Sequence, residues 1–239
     1  YWNDIIEKTN NSKNKLFPTF AFMDLGYFFH HKRQTDKSLS NYINAYNSSI
    51  KNSNDSLMFI IKHKIGNIKY SNHNYREAIN LYKDSYNYFN NDKTYLKLNN
   101  EFQNLLINLS NTYLKLTNLD SAIYYNNKAH QYALKFKQRN VIGYIIYNKG
   151  KIELINKKNT KAYISFNNAI PYLINDENYG VLFNIYNHLA DISLKQNKIQ
   201  RTFNYYKIID SLKSKTNIIH LSQKPTYKFL ANYYKEKNN

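Results

Sequence analysis

Small, aromatic and apolar positions recur along this chain at a spacing that one helix alone would not need. Gly150 is followed by Ala162, Phe166 and Ala169, at +12, +16 and +19. Gly26 leads in the same way to Ser38, Tyr42 and Ala45, and Gly66 to Ala78, Tyr82 and Ser85. Ser110 leads to Ala122, Asn126 and Ala129, with Tyr125 supplying the ring one place early, and Ala190 to Thr202, Tyr206 and Ile209. A sixth small residue, Ala231, lies near the C-terminus, so the anchors are spaced by 40, 44, 40, 40 and 41 residues. A fixed period of that length is the mark of a helical array. Around each anchor the residues at −4, −1, 0 and +3 form one helical stripe, as in Phe22, Leu25, Gly26, Phe29, in Leu106, Leu109, Ser110, Tyr113, and in Tyr227, Leu230, Ala231, Tyr234. A small residue in that stripe lets a second helix, opening near +12, approach closely. Neither face is buried by one helix alone, so stacked pairs share a continuous core.

The pattern predicts an all-α protein: a right-handed superhelical solenoid of antiparallel helix pairs, with helices of about 16 to 18 residues. Five complete pairs are expected, at 17–50, 54–90, 94–136, 140–174 and 178–214. A leading incomplete helix is expected at 1–9, where Trp2 and Ile5 fall in register as core residues, and a first or capping helix at 218–237. Polar turns such as SNHN (71–74), TNLD (117–120) and NKKN (156–159) join the helices of a pair. Helix starts are expected at Asn54-Asp55-Ser56, at Asp120 and at Asn159-Thr160. In the fourth pair Lys149 and Glu153 fall in the apolar stripe, so its face is expected to rotate toward Ile145, Ile146, Ile152 and Leu154.

The anchor, the following aromatic, and AIYYNNKA (122–129) resemble the tetratricopeptide repeat (TPR) over nearly the whole chain. The family's usual period is 34 residues, so this array is a lengthened form, and the family's closing proline is generally missing. Such lengthened repeats resemble the sensor regions of bacterial regulators and the peptide-receptor regulators of quorum sensing. The resemblance implies a protein- or peptide-binding scaffold within a larger regulatory or signal-transduction protein, whose effector would lie beyond Asn239. Both ends fit a cut array: Trp2 belongs to a second helix without its first, and LANYYKEKNN (230–239) to a first helix without its second.

Composition narrows the chemistry. The absence of Cys removes disulfides, thiolate zinc sites and cysteine nucleophiles without fixing a compartment. The first residues show no charged n-region followed by an apolar h-region. The most apolar stretch, around 17–29, is broken by Asp24 and followed by His30, His31, Lys32 and Arg33, too short and interrupted to span a bilayer. Net charge is +18, which raises nucleic acid as an alternative partner. Yet the cations are 30 Lys and 4 Arg beside 40 Asn and 25 Tyr. That profile matches AT-rich codons and leaves out arginine, the side chain suited to bidentate phosphate and guanine contacts. Self-association through exposed terminal repeats is a third possibility, and a peptide, a protein segment or another domain of the same polypeptide the favoured one.

Helical geometry sets the candidate groove. At −6, −3, −2 and +1 from each anchor stand Ile60, His63, Lys64, Asn67; Asn104, Ile107, Asn108, Asn111; Tyr144, Tyr147, Asn148, Lys151; and Asn184, Asn187, His188, Asp191. Seven of these sixteen are Asn, where 40 in 239 would put between two and three. An amide donates and accepts at once, so a ladder of asparagines can hold an extended backbone without reading its side chains. The candidate binding residues are therefore His63, Asn67, Asn104, Asn108, Asn111, Tyr144, Tyr147, Asn148, Asn184, Asn187 and His188. TPR proteins that clamp a C-terminal carboxylate carry Lys and Arg on the third first helix. Tyr144 and Asn148 stand there instead, which argues against that mode. No cofactor, metal site or catalytic residue is expected. His30 and His31 point about 100° apart on a helix, and His63, His73, His130, His188 and His220 form no i, i+4 ligand pair. No carboxylate pair, nucleophile elbow or phosphate loop is present in the sequence.

Overall fold

The structure is a computed structural model and describes residues 7–8, 15–91, 97–216 and 224–237. Eleven helices of fourteen residues or more lie among them: α1 (Phe17–His31), α2 (Thr35–Lys51), α3 (Asp55–Ser71), α4 (Tyr75–Asn91), α5 (Asn99–Lys115), α6 (Leu119–Lys135), α7 (Arg139–Ile155), α8 (Asn159–Asn175), α9 (Tyr179–Lys195), α10 (Ile199–Thr216) and α11 (Lys224–Lys237). They form sequential antiparallel pairs in a TPR-like solenoid. The chain divides into two compact units, residues 1–129 and 130–239, with the division inside α6. Sequential neighbours pack from α1 to α5 and from α7 to α11, α3 also touches α5, and α5 is hydrogen-bonded to α6 through Gln103 and Ser110. Trp2, Ile5 and most of the expected leading helix lie outside the described residues, as do His220 and residues 94–96.

The anchors work by close approach. A Cβ added at Gly26, Gly66 or Gly150 would come within 2.9, 2.5 and 2.6 Å of the rings of Tyr42, Tyr82 and Phe166, the residues at +16. All fifteen residues at +12, +16 and +19 in the five pairs are buried, from Ser38, Tyr42 and Ala45 to Thr202, Tyr206 and Ile209. Hydrogen bonds reinforce the contact. Ser38 Oγ donates to the Gly26 carbonyl (2.7 Å), and Ser110 Oγ donates in the opposite sense to the Ala122 carbonyl (2.9 Å). In α7 the face is rotated: Ile145 and Ile152 are buried, Lys149 is exposed, and Glu153 accepts from Ser165 Oγ at 2.6 Å. In α11 the expected stripe is not buried throughout, since Tyr234 is 47% exposed.

Regularity comes from the turns. Eight helices are 17 residues long, and three-residue links join most of them. The middle residue of each such link is left-handed: Arg33, Ser53, His73, Thr117, Lys137, Lys157, Glu177 and Asn197, with φ between 51° and 64°. In each, that residue's N–H and the next one close back onto the helix, as in His73 N to Tyr70 O (3.0 Å) and Asn74 N to Lys69 O (2.9 Å). This is the Schellman arrangement, built here eight times without glycine. The repeat is thus a 20-residue helix-and-turn module used twice per pair. The four additional residues in the 44-residue spacing fall between Asn91 and Asn99. Asn54 caps α3 by accepting from Leu57 N (3.0 Å). The expected starts at Asp120 and Asn159 lie inside their first turns instead. Asn118 accepts from Ser121 N (3.1 Å), and Lys158 precedes α8 without a side-chain cap.

Candidate functional site

In the first unit the predicted positions of α3 and α5 are brought together into a hydrogen-bonded chain. Tyr82 OH donates to Asn67 Oδ1 (2.8 Å), and the same oxygen accepts from Asn108 Nδ2 (2.8 Å). The Asn108 amide also lies 3.0 Å from His63 Nε2. The other ring nitrogen, His63 Nδ1, is 3.2 Å from Glu101 Oε2, and Lys64 Nζ donates to Glu101 Oε1 at 2.6 Å. Burial lowers the His63 pKa, outweighing the nearby carboxylate, so the ring is neutral. A neutral ring that accepts from Asn108 at Nε2 donates from Nδ1 to Glu101, which fixes its tautomer. Burial pushes the Glu101 carboxyl up, but His63 and the Lys64 ammonium overcome it and hold it down at about 2.

This chain orients both amides. Asn67 spends its oxygen on two donors, and Asn108 spends its NH2 on two acceptors. The groups left over are the Asn67 NH2 donor and the Asn108 carbonyl acceptor, both half-buried. One donor and one acceptor side by side match the C=O and N–H of an extended peptide. Asn104 is exposed and Asn111 half-buried on the same helix. His63, Ile60 and Ile107, placed outward by sequence geometry, are buried instead. The reason is that neighbouring first helices pack along this face, so only part of it meets solvent. Glu101 and Tyr82 were missed by the groove pattern. Glu101 lies seven residues before Asn108, two turns along the same helical face, which is the signal that points to it.

In the second unit α7, α8 and α9 gather the remaining positions. His188 stacks on Phe166 (centroids 5.0 Å apart, 10° between planes), with Tyr147 6.0 Å from Phe166 and 6.2 Å from His188. Lys151 Nζ sits 4.6 Å from the Tyr147 ring centroid. Burial, then the charge of Lys151, lower the His188 pKa to about 4, so this ring too is neutral near pH 7. Asn178 donates to the Tyr144 hydroxyl while its Oδ1 caps α9 through Val181 N. Asn148 is 2% exposed, and its Nδ2 has no partner. Asn187 folds back onto the Phe183 carbonyl (2.8 Å), whereas Asn184 and Asp191 are exposed. The outward placement of Asn148 is thus corrected, because the rotation of α7 buries it, whereas Asn187 is half-buried with its amide on a backbone acceptor. No group of three or more His, Asp or Glu positioned for a metal lies among the described residues. No described helix is long and apolar enough to cross a membrane.

No protein-family model and no curated protein matches the chain. Solved structures do. The TPR sensor-bearing signal transduction ATPase with numerous domains from Pyrococcus horikoshii aligns at 15% identity and TM-score 0.74, over 99% of this chain and 36% of that one. BtubC from P. vanneervenii aligns at 12% identity and TM-score 0.73, over 92% and 91%. The Rap conjugation gene regulator of plasmid pLS20, solved with the Phr* peptide, aligns at 16% identity and TM-score 0.70, over 84% and 55%. This chain spans about a third to a half of the sensor ATPase and the Rap regulator. At these identities the likeness shows the TPR-like fold, and no activity.

Proposed function

We propose that the chain is a non-enzymatic binding scaffold that holds an extended peptide or protein segment on the exposed parts of its first helices, as the sensor portion of a regulatory protein. The observation that carries this is the Asn67–Asn108 pair, two half-buried amides whose internal bonds leave one donor and one acceptor over. A backbone held by such a pair is bound with little regard to its side chains, and orientation of the pair in advance removes part of the ordering cost. Exposed Asn104 and half-buried Asn111 extend that surface in the first unit. In the second, Asn184 with the Tyr147–His188 ring cluster offers a polar and aromatic contact, and Tyr144, Asn148 and Asn187 support it from within. The Rap regulator solved with the Phr* peptide supports the same use of this fold.

The test is selection from a random peptide library, followed by calorimetry of enriched peptides against wild type, Asn67→Ala and Asn108→Ala. Each substitution is expected to weaken binding about fivefold, the worth of roughly one hydrogen bond. Alanine scanning of the peptide is expected to show broad tolerance. Enriched peptides bound equally well by both variants would refute the role of the pair, and a library with no enrichment would refute the peptide reading.

A further inference from the structure

The positive charge is unevenly divided. Residues 130–239 carry 18 Lys and Arg against 6 Asp and Glu, a net +12, and residues 1–129 carry 16 against 10, a net +6. Within the second unit six of these cations lie at one end, while Lys135, Lys137 and Arg139 lie at the α6–α7 turn. The α7–α8 turn and first turn of α8 hold Lys157, Lys158 and Lys161, and the α9–α10 turn with its flanks holds Lys195, Lys198 and Arg201. Residues 155–161 and 194–201 include no acid, and all six cations are exposed. None of the six forms an ion pair within 4 Å among the described residues. Of the nearest acids, Glu153 accepts from Ser165, and Asp191, one helical turn before Lys195, feels that lysine's charge. The two turns are neighbours in space, because the Arg201 guanidinium lies 5.6 Å from the Tyr163 ring of α8 and Tyr163 OH is 2.9 Å from Tyr205 OH of α10.

The first turns of the second helices differ between the units in their acids, although Lys37 and Arg76 also stand in those of α2 and α4. The second helices α2, α4 and α6 each carry an acid in the first turn, Asp36, Glu77 and Asp120. The second helices α8 and α10 carry none and have Lys161 and Arg201 there. A cation in a first turn opposes the helix dipole, so this arrangement lowers the stability of α8 and α10. Codon bias toward Lys does not account for it, because the same bias leaves the three acids of the first unit in place. A net positive field from six cations over two adjacent turns suits an extended polyanion with regularly repeated charge.

We propose that this end of the second unit binds the phosphate backbone of nucleic acid without base specificity, independently of the peptide surface above. Lys predominates and Arg201 alone can grip a phosphate with two parallel bonds, so the cations hold charge and read no bases.

The experiment is fluorescence anisotropy of the full chain with labelled mixed-sequence single-stranded RNA and duplex DNA, from low to near-physiological salt. Wild type is compared with Lys158→Gln/Lys161→Gln/Lys198→Gln/Arg201→Gln and with a control of equal charge change, Lys32→Gln/Lys51→Gln/Lys83→Gln/Lys115→Gln. The first variant is expected to bind at least tenfold more weakly, and on RNA its slope of log K against log salt should fall by about 3, or 0.7 for each of four lost cations. The control is expected to change by less than about threefold. Arg201→Gln gives up the ring contact with Tyr163, and circular dichroism confirms that both variants are folded. Equal losses in the two variants would show a diffuse charge effect and overturn the proposal. So would absence of wild-type binding at near-physiological salt. Binding of phosphatidylserine vesicles or polyglutamate, with nucleic acid unbound, would assign the surface to a membrane or an acidic protein and likewise overturn it.

Discussion

Gly66→Ala adds a single methyl at the tightest of the glycine contacts. The new Cβ would stand 2.5 Å from Tyr82 Cε1 and 2.8 Å from Cδ1, where carbon atoms settle at about 3.5–4.0 Å. The ring or its helix must therefore retreat by about 1 Å. Tyr82 is 1% exposed and its hydroxyl is held 2.8 Å from Asn67 Oδ1, so retreat stretches that bond beyond useful length. Overpacking costs about 1–3 kcal/mol and the lost bond about 1, while alanine in a helix returns about 1. The expected net loss is about 1–3 kcal/mol, or about 2–4 °C in melting temperature for each kcal/mol in a chain of this size. Thermal denaturation followed by circular dichroism measures it, with Gly180→Ala as the control, since nothing lies within 4 Å of a Cβ there. That control is expected to melt at or slightly above the wild-type temperature. In a Tyr82→Leu background the Gly66→Ala penalty should shrink by at least about 1 kcal/mol, because the two sites touch. A Gly66→Ala protein as stable as wild type, with no coupling to position 82, would refute the claim that anchor size sets helix approach.

Other substitutions probe the same logic elsewhere. His188 has its pKa lowered from 6.5 to about 4, so the unfolded chain takes up the proton first as pH falls. The contribution of the neutral ring is complete above pH 6.5 and is lost as pH drops toward 4, by up to about 3 kcal/mol. His188→Phe keeps the stack on Phe166, and its stability by denaturant titration is expected to lose that limb; parallel wild-type and variant curves would contradict the assignment. Glu177→Gly, at a left-handed turn residue with φ 51°, is expected to raise stability by about 0.5–1 kcal/mol, whereas Glu177→Val at the same place should lower it. Pro171 lies inside α8 and is exposed, so Pro171→Ala restores a backbone donor and is expected to stabilise by about 1–3 kcal/mol in urea titration. A neutral or destabilising result would mean that α8 has relaxed around the proline.

The architecture was legible because it rests on local periodicity. A small residue at each anchor and a partner at +16 state a helix contact directly, and Gly26–Tyr42, Gly66–Tyr82 and Gly150–Phe166 realise it. Turns were legible as polar links, but their left-handed middle residue was not, since Arg, Ser, His and Thr do not announce positive φ as glycine does. The groove was legible only in part. Spacing put Asn67 and Asn108 on equivalent faces of successive first helices, and they do meet. It also put His63 and Asn148 toward solvent, where burial by neighbouring helices overrides the helical wheel.

What the sequence determined by itself is the repeat, its length and the alternation of small and aromatic positions that makes helices pair. Those follow from contacts within about 20 residues, which chain connectivity alone brings together. Tertiary structure decided which amide groups are left over, because Tyr82, Asn67, Asn108, His63 and Glu101 are spread over residues 63–108 and three helices. It also decided that two basic turns 40 residues apart form one surface, through the stacking of α8 beside α10 that brings Arg201 onto Tyr163. Long-range electrostatics and hydrogen-bond direction depend on distances across helices, and those distances exist only once the pairs have stacked.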